Sequence, residues 1–309
     1  MKSKIFQLGL AMVFVLAGAI PALSQADVSS ATIKGTVTDQ NKGVVVGATV
    51  TAKSTERGTT RTAKTESDGS YVIPAVPPGV YEVRIDAQGF EAAVIPTVEL
   101  TVGATSVYDI ELRPAGVKAE VQVTTEAPVI EVERTQQANT IDKRQVENLP
   151  NSGRTFQNYV YTLPGVSNSN APRAQLSGRV TGFLSSGFSI GGSNGRNNLI
   201  TVDGGENEYG SGQARFDITP ESIQEFQVNR NSFTAEFGFT AGTAVNVITK
   251  SGTNQFHGSG YIYYRSDKTS GRNFFDFTNP RAKDRQLFPG FTFGGPIVKN
   301  KLFFFTNYE

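Results

Sequence analysis

His257 is the only histidine in the sequence, and there is no cysteine. A nucleophile–base relay would have one imidazole to work with, and a zinc site one nitrogen ligand and no thiolate. Disulfide and thiolate chemistry are excluded outright. Asp39-Gln40-Asn41-Lys42-Gly43 opens like a calcium loop, but Val50 stands at the twelfth position, where a bidentate glutamate is required. It reads as a turn. Gly191-Gly192-Ser193-Asn194-Gly195 is not followed by the Gly-Lys-Ser/Thr of a phosphate loop. Arg154, Arg173, Arg179 and Arg215 are scattered, and none is assigned a substrate. The 29 basic and 28 acidic residues nearly cancel, so no nucleic-acid partner is implied. These residue types predict binding without covalent chemistry: no enzyme, no cofactor and no metal.

The elements that would position a binding site begin with an export signal. Lys2 and Lys4 precede an uncharged apolar stretch over 5–20, broken by Pro21, and Ser24-Gln25-Ala26 places small residues before Asp27. This is the layout of a secretory signal cleaved between Ala26 and Asp27. The alternative is an N-terminal membrane anchor, but an apolar run of roughly 16 residues is short for a span. An exported chain without cysteine must take its stability from sheet pairing and core burial. The 32 glycines and 21 phenylalanines suit a β-rich chain with many tight turns.

Residues 27–114 read as all-β. Thr32-Ile33-Lys34-Gly35-Thr36-Val37-Thr38 is a strand, and Gly47-Ala48-Thr49-Val50-Thr51-Ala52 is the next. Tyr71-Val72-Ile73 and Val80-Tyr81-Glu82-Val83-Arg84-Ile85 follow the turns Ser67-Asp68-Gly69-Ser70 and Pro77-Pro78-Gly79. Val98, Leu100, Val102, Val107, Ile110 and Leu112 continue the alternation. Short strands at intervals of about 10 residues indicate a seven-strand-type β-sandwich. Gly35-Thr36-Val37-Thr38-Asp39, Asp68-Gly69-Ser70-Tyr71 and Pro78-Gly79-Val80-Tyr81-Glu82-Val83 resemble the carboxypeptidase regulatory-like domain. That resemblance implies a non-catalytic sandwich, whatever its name.

Further on, Ile141, Val146 and Leu149 lie on the apolar side of a helix from 142 to 149, and Phe156, Tyr159, Val160 and Leu163 have the spacing of one amphipathic helix. Strands are expected at Phe188-Ser189-Ile190, Leu199-Ile200-Thr201-Val202, 225–229 and 244–250, with a short helix after Thr219-Pro220. Asp203-Gly204 reads as a tight turn. Leu163-Pro164-Gly165-Val166, Ile200-Thr201-Val202-Asp203-Gly204, Ile223-Gln224-Glu225-Phe226, Ala235-Glu236-Phe237-Gly238 and Val245-Asn246-Val247-Ile248-Thr249-Lys250-Ser251-Gly252 resemble the plug of TonB-dependent outer-membrane receptors. Together with the leading sandwich they resemble the Oar-like subgroup. The Ser/Gly-rich segment 167–187 departs from the plainest plug pattern.

The resemblance implies an α+β plug over 134–254 and a linker over 115–133 that carries the TonB box. The extended piece Glu120-Val121-Gln122-Val123-Thr124-Thr125 is the candidate, because adding a strand to a partner requires only a β-prone segment with free backbone groups. Its alternative is a plain linker strand. In a plug, the loop with Arg196, Asn197 and Asn198 faces outward and offers donors to a ligand; a solvated loop is the competing reading. His257 is expected to play a structural or lumen-lining role.

Over 255–309 the pattern is that of first barrel strands. Phe256, Gly258, Gly260, Ile262 and Tyr264 share one face, while His257, Ser259, Tyr261, Tyr263 and Arg265 share the other. Two further strands, 288–298 and 302–308, meet at a short polar turn of periplasmic type, and 266–283 reads as an outer loop. An open set of three strands cannot span a bilayer, so the chain is expected to be a fragment or a truncated product. The expected fold class is mainly β: sandwich, α+β plug, then the first strands of a transmembrane β-barrel. The expected location is the outer membrane, with the sandwich periplasmic. The expected partners are the periplasmic domain of TonB, outer-membrane lipid and an unidentified extracellular substrate. The competing function is a surface or periplasmic binding protein whose sandwich takes carbohydrate or protein, with Tyr71, Tyr81, Phe90 and Tyr108 as its only rings.

Overall fold

The computed structural model describes residues 29–115, 121–122, 137–151, 153–169, 188–192, 195, 198–209, 213–231, 237–238, 240, 242–271, 283 and 285–309. Three β-rich parts follow one another along the chain.

The first is a two-sheet sandwich. One sheet places β1 (Ala31–Asp39) between β4 (Ser70–Val76) and β7 (Thr105–Val107), with β8 (Ile110–Leu112) continuing the parallel pairing along β1. The other runs β3 (Thr60–Lys64), β2 (Thr49–Ser54), β5 (Gly79–Asp86), β6 (Ala93–Leu100) and β9 (Val121–Gln122). With β7 and β8 taken as one interrupted strand, residues 31–112 supply the seven strands expected. The interruption has a cause. The main chain at Tyr108 crosses directly over Gly35, where a Cβ would lie 1.9 Å from the Tyr108 carbonyl oxygen. Thr36 then donates from its N–H and its hydroxyl to Asp109 at 2.8 and 2.7 Å. The Gly-Thr pair therefore shapes the strand edge. Alternate residues Ile33, Val50, Tyr71, Ile73, Val83, Ile85, Leu100 and Ile110 fill the space between the sheets, each contributing about 2 kcal/mol by leaving water.

The second part is built on a five-stranded sheet of order β10 (Gln137–Ile141), β17 (Ile223–Asn231), β18 (Ala244–Thr249), β13 (Leu199–Val202) and β14 (Gly205–Glu206). On one face Phe226, Val228, Val245, Val247 and Ile200 pack with Phe156, Tyr159, Val160 and Phe188. Helix α1 (Lys143–Asn148) starts where sequence pattern placed it, because Asp142 and Gln145 cap each other reciprocally. The amphipathic helix expected at 156–163 is only one turn, α2 (Gln157–Val160). Thr162 and Leu163 donate to the carbonyls three residues back, at 3.1 Å each, since Pro164 disfavours the α conformation in the residue before it. Phe156 and Tyr159 still reach the core, with Phe156 edge-on to Phe226 at 6.2 Å. Asp203 and Gly204, both at positive φ, turn β13 back into β14. The short helix expected after Thr219-Pro220 is a 3-10 turn, Pro220–Ser222. Two short pairs complete this part: β11 (Val166–Asn168) with β12 (Phe188–Ile190), and β15 (Glu208–Tyr209) with β16 (Gln213–Ala214).

The third part is an antiparallel meander of β19 (His257–Ser266), β20 (Arg285–Val298) and β21 (Leu302–Tyr308). Gly258 pairs with Phe293 and Gly260 with Phe291; a Cβ at Gly258 would lie 3.3 Å from the Phe293 ring, whereas one at Gly260 would meet nothing within 4 Å. Phe256 stacks on Phe293 at 5.9 Å on the same face, and Ile262, Tyr264 and Leu287 are exposed there. That is the apolar face expected to meet lipid. The opposite face carries Ser259, bonded to Thr292 at 2.8 Å, together with Tyr261 and Tyr263. Most of the outer loop expected at 266–283 lies outside the described residues.

Candidate functional site

Arg154 joins the second part to the third. It stands at positive φ after Gly153, and this turn directs its side chain out of the plug toward the meander. Its guanidinium donates to Glu221 at 2.6 Å and also pairs with Glu309. The guanidinium carbon lies 4.0 Å from the ring centre of Tyr263 and 5.3 Å from that of Tyr261. Burial works against the charge, but the hydrogen bonds to Glu221 and Glu309 outweigh it and hold the pKa above the ordinary arginine range. A planar cation suits this place because its edge can bond carboxylates while its face stacks on tyrosines. Nothing in the sequence pattern singled Arg154 out. Its partners lie 67 and 155 residues away, a spacing that no local periodicity reveals.

The predicted site residues are distributed unevenly. Of the box candidate, Val121 and Gln122 are described and pair in parallel with Ala93 and Val94 at the edge of β6. Glu120, Val123, Thr124 and Thr125 lie outside the described residues, as do Arg196, Asn197, Ala26 and Asp27. Asn198 is buried, and its amide donates to the Phe188 carbonyl at 3.0 Å, which ties the loop to β12. His257 is exposed, with Nδ1 3.1 Å from the Gln255 carbonyl oxygen. The structure does not bring the box, the 196–198 loop and His257 together.

Two carboxylates were not anticipated. Glu208 is buried in the plug with its Oε2 unpartnered among the described residues. Burial pushes its pKa up to about 7, Glu206 adds to the rise, and a bond from the Ile200 backbone and the charge of Arg215 oppose it. Glu225 on β17 is also buried, and burial likewise raises it to about 7 against a bond from Val102 N–H, with Glu99 and Asp142 adding. Glu225 sits on a strand where alternation alone would mark it as solvent-facing, whereas Glu208 lies in a two-residue strand too short to show any alternation.

Carbohydrate recognition by the sandwich would need a set of exposed coplanar rings. Tyr71, Tyr81 and Tyr108 are buried in its core, and Phe90 packs against that core. The hydroxyl of Tyr71 donates to the Tyr108 carbonyl at 2.9 Å and that of Tyr81 to the Pro77 carbonyl at 2.8 Å. These rings fasten the fold.

Three family models match consecutive stretches of the chain. The carboxypeptidase regulatory-like domain matches 32–113, the TonB-dependent receptor plug domain 131–245, and an outer membrane beta barrel domain 248–309. The TonB-dependent transporter Oar of Myxococcus xanthus is 28% identical over 301 residues, which cover 92% of this chain and 27% of that protein. The chain therefore spans about a quarter of the length of this relative. Among solved structures, the siderophore receptor PirA from Acinetobacter baumannii overlaps 52% of this chain and 22% of its own, at 27% identity and a TM-score of 0.39. A putative carbohydrate binding protein from Bacteroides uniformis overlaps 28% of this chain and 42% of its own, at 24% identity and a TM-score of 0.24. The matched plug family and the Oar relative are a receptor domain and a transporter, not enzymes. With the three domains in this order and the alignment to Oar running through all of them, the chain is similar to TonB-dependent outer-membrane receptors of the Oar-like type.

Proposed function

We propose that the chain supplies the leading sandwich, the plug and the first barrel strands of a receptor that imports a substrate across the outer membrane with energy from TonB. It divides into a signal peptide at 1–26, the sandwich at 27–114, a linker at 115–133, the plug at 134–254 and barrel strands from 255. The substrate binds from outside on plug and barrel loops, those around Arg196, Asn197 and Asn198 included. TonB takes the segment Glu120-Val121-Gln122-Val123-Thr124-Thr125 as an added strand and pulls, using the proton-motive force of the inner membrane. The plug then rearranges inside the barrel.

The seating of Arg154 carries this reading. A plug that must stay in the lumen at rest and move under force needs polar, directional contacts to the wall, since an apolar seal would be slow to release. Arg154 between Glu221 and Glu309, facing Tyr263, is such a contact. The box reading is supported by the backbone of Val121 and Gln122, which already takes the strand conformation that β-augmentation uses.

The test is a binding measurement between the periplasmic domain of TonB and the receptor, with Val121→Pro and Val123→Pro as variants. Binding is expected, with proline weakening it at least tenfold by removing a strand donor. Binding unaffected by proline at either position would remove the box from this segment. No binding at all would favour a receptor energised elsewhere.

A further inference from the structure

We infer that the N-terminal sandwich is a releasable cap, docked on the polar face of the plug sheet and on the short-turn end of the barrel strands. The inference goes beyond the transport reading and does not depend on where TonB binds.

The plug sheet has two unlike faces. Phe226, Val228, Val245 and Val247 face its core. The alternate positions carry Glu225, Gln227 and Asn229 on β17, Asn246 on β18 and Thr201 on β13, all buried. Gln227, Asn246 and Thr201 lie in one cross-strand row. Thr201 donates to Asn246 at 2.8 Å, and Asn229 to Gln227 at 3.0 Å. The cover over part of this face is the turn after β6. Val102 N–H donates to the Glu225 carboxylate at 2.5 Å, and the Val102 carbonyl accepts from the Gln227 amide at 2.7 Å. Both backbone polar groups of Val102 are thus read by the plug. The approach requires Gly103, where a Cβ would lie 2.7 Å from Gln227 Oε1. Ser29, just ahead of β1, accepts from Asn246 at 3.4 Å.

A second contact lies at the barrel. The hairpin tip between β2 and β3 reaches the junction of plug and meander, where Asn254 N–H donates to the Glu56 carbonyl at 3.0 Å. Asn254 in turn exchanges hydrogen bonds with Asn300, in the turn between β20 and β21, at 2.7 and 2.8 Å. Short turns of this kind belong to the periplasmic end of outer-membrane barrels, so the sandwich covers the plug from that side.

The chemistry of the interface argues for release. A face meant to stay covered would gain more from apolar residues, whereas a polar row is rehydrated on uncovering at small net cost. Contacts between domains that are modest and polar are those across which domains move. Asn229 Oδ1, on the same polar face, is buried with no partner among the described residues. The sandwich core, by contrast, is apolar and confined to residues 31–112. The domain can leave the plug without losing its own packing.

Hydrogen exchange on the detergent-purified receptor tests this. In the wild type, residues 101–104 and 56–58 are expected to exchange together, at least tenfold faster than strands β5 and β18. Glu225→Ala and Gln227→Ala are each expected to raise exchange over 101–104 about tenfold further and leave β5 unchanged. Exchange at 101–104 matching that of β18 in the wild type would mean a fixed interface and overturn the proposal. So would variants that leave 101–104 unchanged. The wild-type comparison decides the matter even where a variant fails to fold.

Discussion

The guanidinium carbon of Arg154 lies 4.0 Å from the ring centre of Tyr263, which places a plug cation against the inward face of the first barrel strand. Glu221 and Glu309 bond the edge of the same group. Arg154→Met removes the cation and leaves two carboxylates close together in a partly dry site. The expected loss is about 3 kcal/mol, since breaking a buried pair strands its partner charge. Arg154→Lys keeps the charge but loses the fork and the stacking, and should recover less than half of that loss. Urea unfolding of the plug followed by near-UV circular dichroism measures both. Equal stability of Lys and Arg would show that charge alone matters.

Gly35→Ala should disrupt the sandwich. The added methyl would meet the Tyr108 carbonyl oxygen at 1.9 Å, and both are main-chain positions that no rotamer change can relieve. A cost of about 3 kcal/mol is expected, at the upper end for overpacking. The comparison is the melting temperature of residues 27–114 with and without the substitution. An unchanged value would mean that the main chain at Tyr108 moves freely.

Asp203 carries a structural load that its place in a turn conceals. Its carboxylate accepts from the N–H and the hydroxyl of Thr249 at 2.9 and 2.6 Å, closing the end of β18, while its own φ is positive. Asp203→Ala loses both bonds and suits the left-handed conformation poorly, for an expected cost of about 2 kcal/mol. Asp203→Asn keeps one acceptor and a tolerated φ, and should cost less than about 1 kcal/mol. Unfolding midpoints of the two variants check the ranking. Equal midpoints would place the importance of Asp203 outside folding.

Plug stability should fall as pH rises from about 5 to 8. Glu208 and Glu225 both have pKa values raised by burial from 4.5 to about 7. The folded state therefore holds their protons more tightly than the unfolded state. Its advantage is full below about 4.5 and is lost as pH climbs through 7, with a ceiling of about 3 kcal/mol for each group. Glu99 and Asp142 face Glu225, and Glu206 and Arg215 face Glu208. Glu208→Gln should flatten the dependence by about half. A urea midpoint that does not move between pH 5.5 and 8 would contradict the burial of these carboxylates.

The sequence carried the architecture because each part obeys a local rule. Period-two alternation gave β1, β2 and β5, turn chemistry gave Asp68-Gly69 and Asp203-Gly204, and the exchange of glycine and aromatic residues gave the two faces of β19. The helix from 142 followed from its apolar spacing, and the cap that starts it is equally local, since Asp142 and its partner Gln145 are three residues apart. The helix expected at 156–163 is shorter in the structure: the spacing of Phe156, Tyr159, Val160 and Leu163 is satisfied by one α turn followed by tighter turns before Pro164. Spacing records which residues are buried and not how the backbone between them is wound.

The tertiary structure decided what the polar residues are for. Alternation marks Glu225, Gln227 and Asn229 as the solvent side of a strand, and Arg154 as one more scattered cation. Each is buried because a segment remote in sequence covers it: residue 102 over 225 and 227, and residues 221, 263 and 309 around 154. Hydrophobic periodicity is a property of one segment against a generic interior, so a single strand can announce it. A polar interface is a match between two surfaces, and it exists only once folding has brought both to the same place.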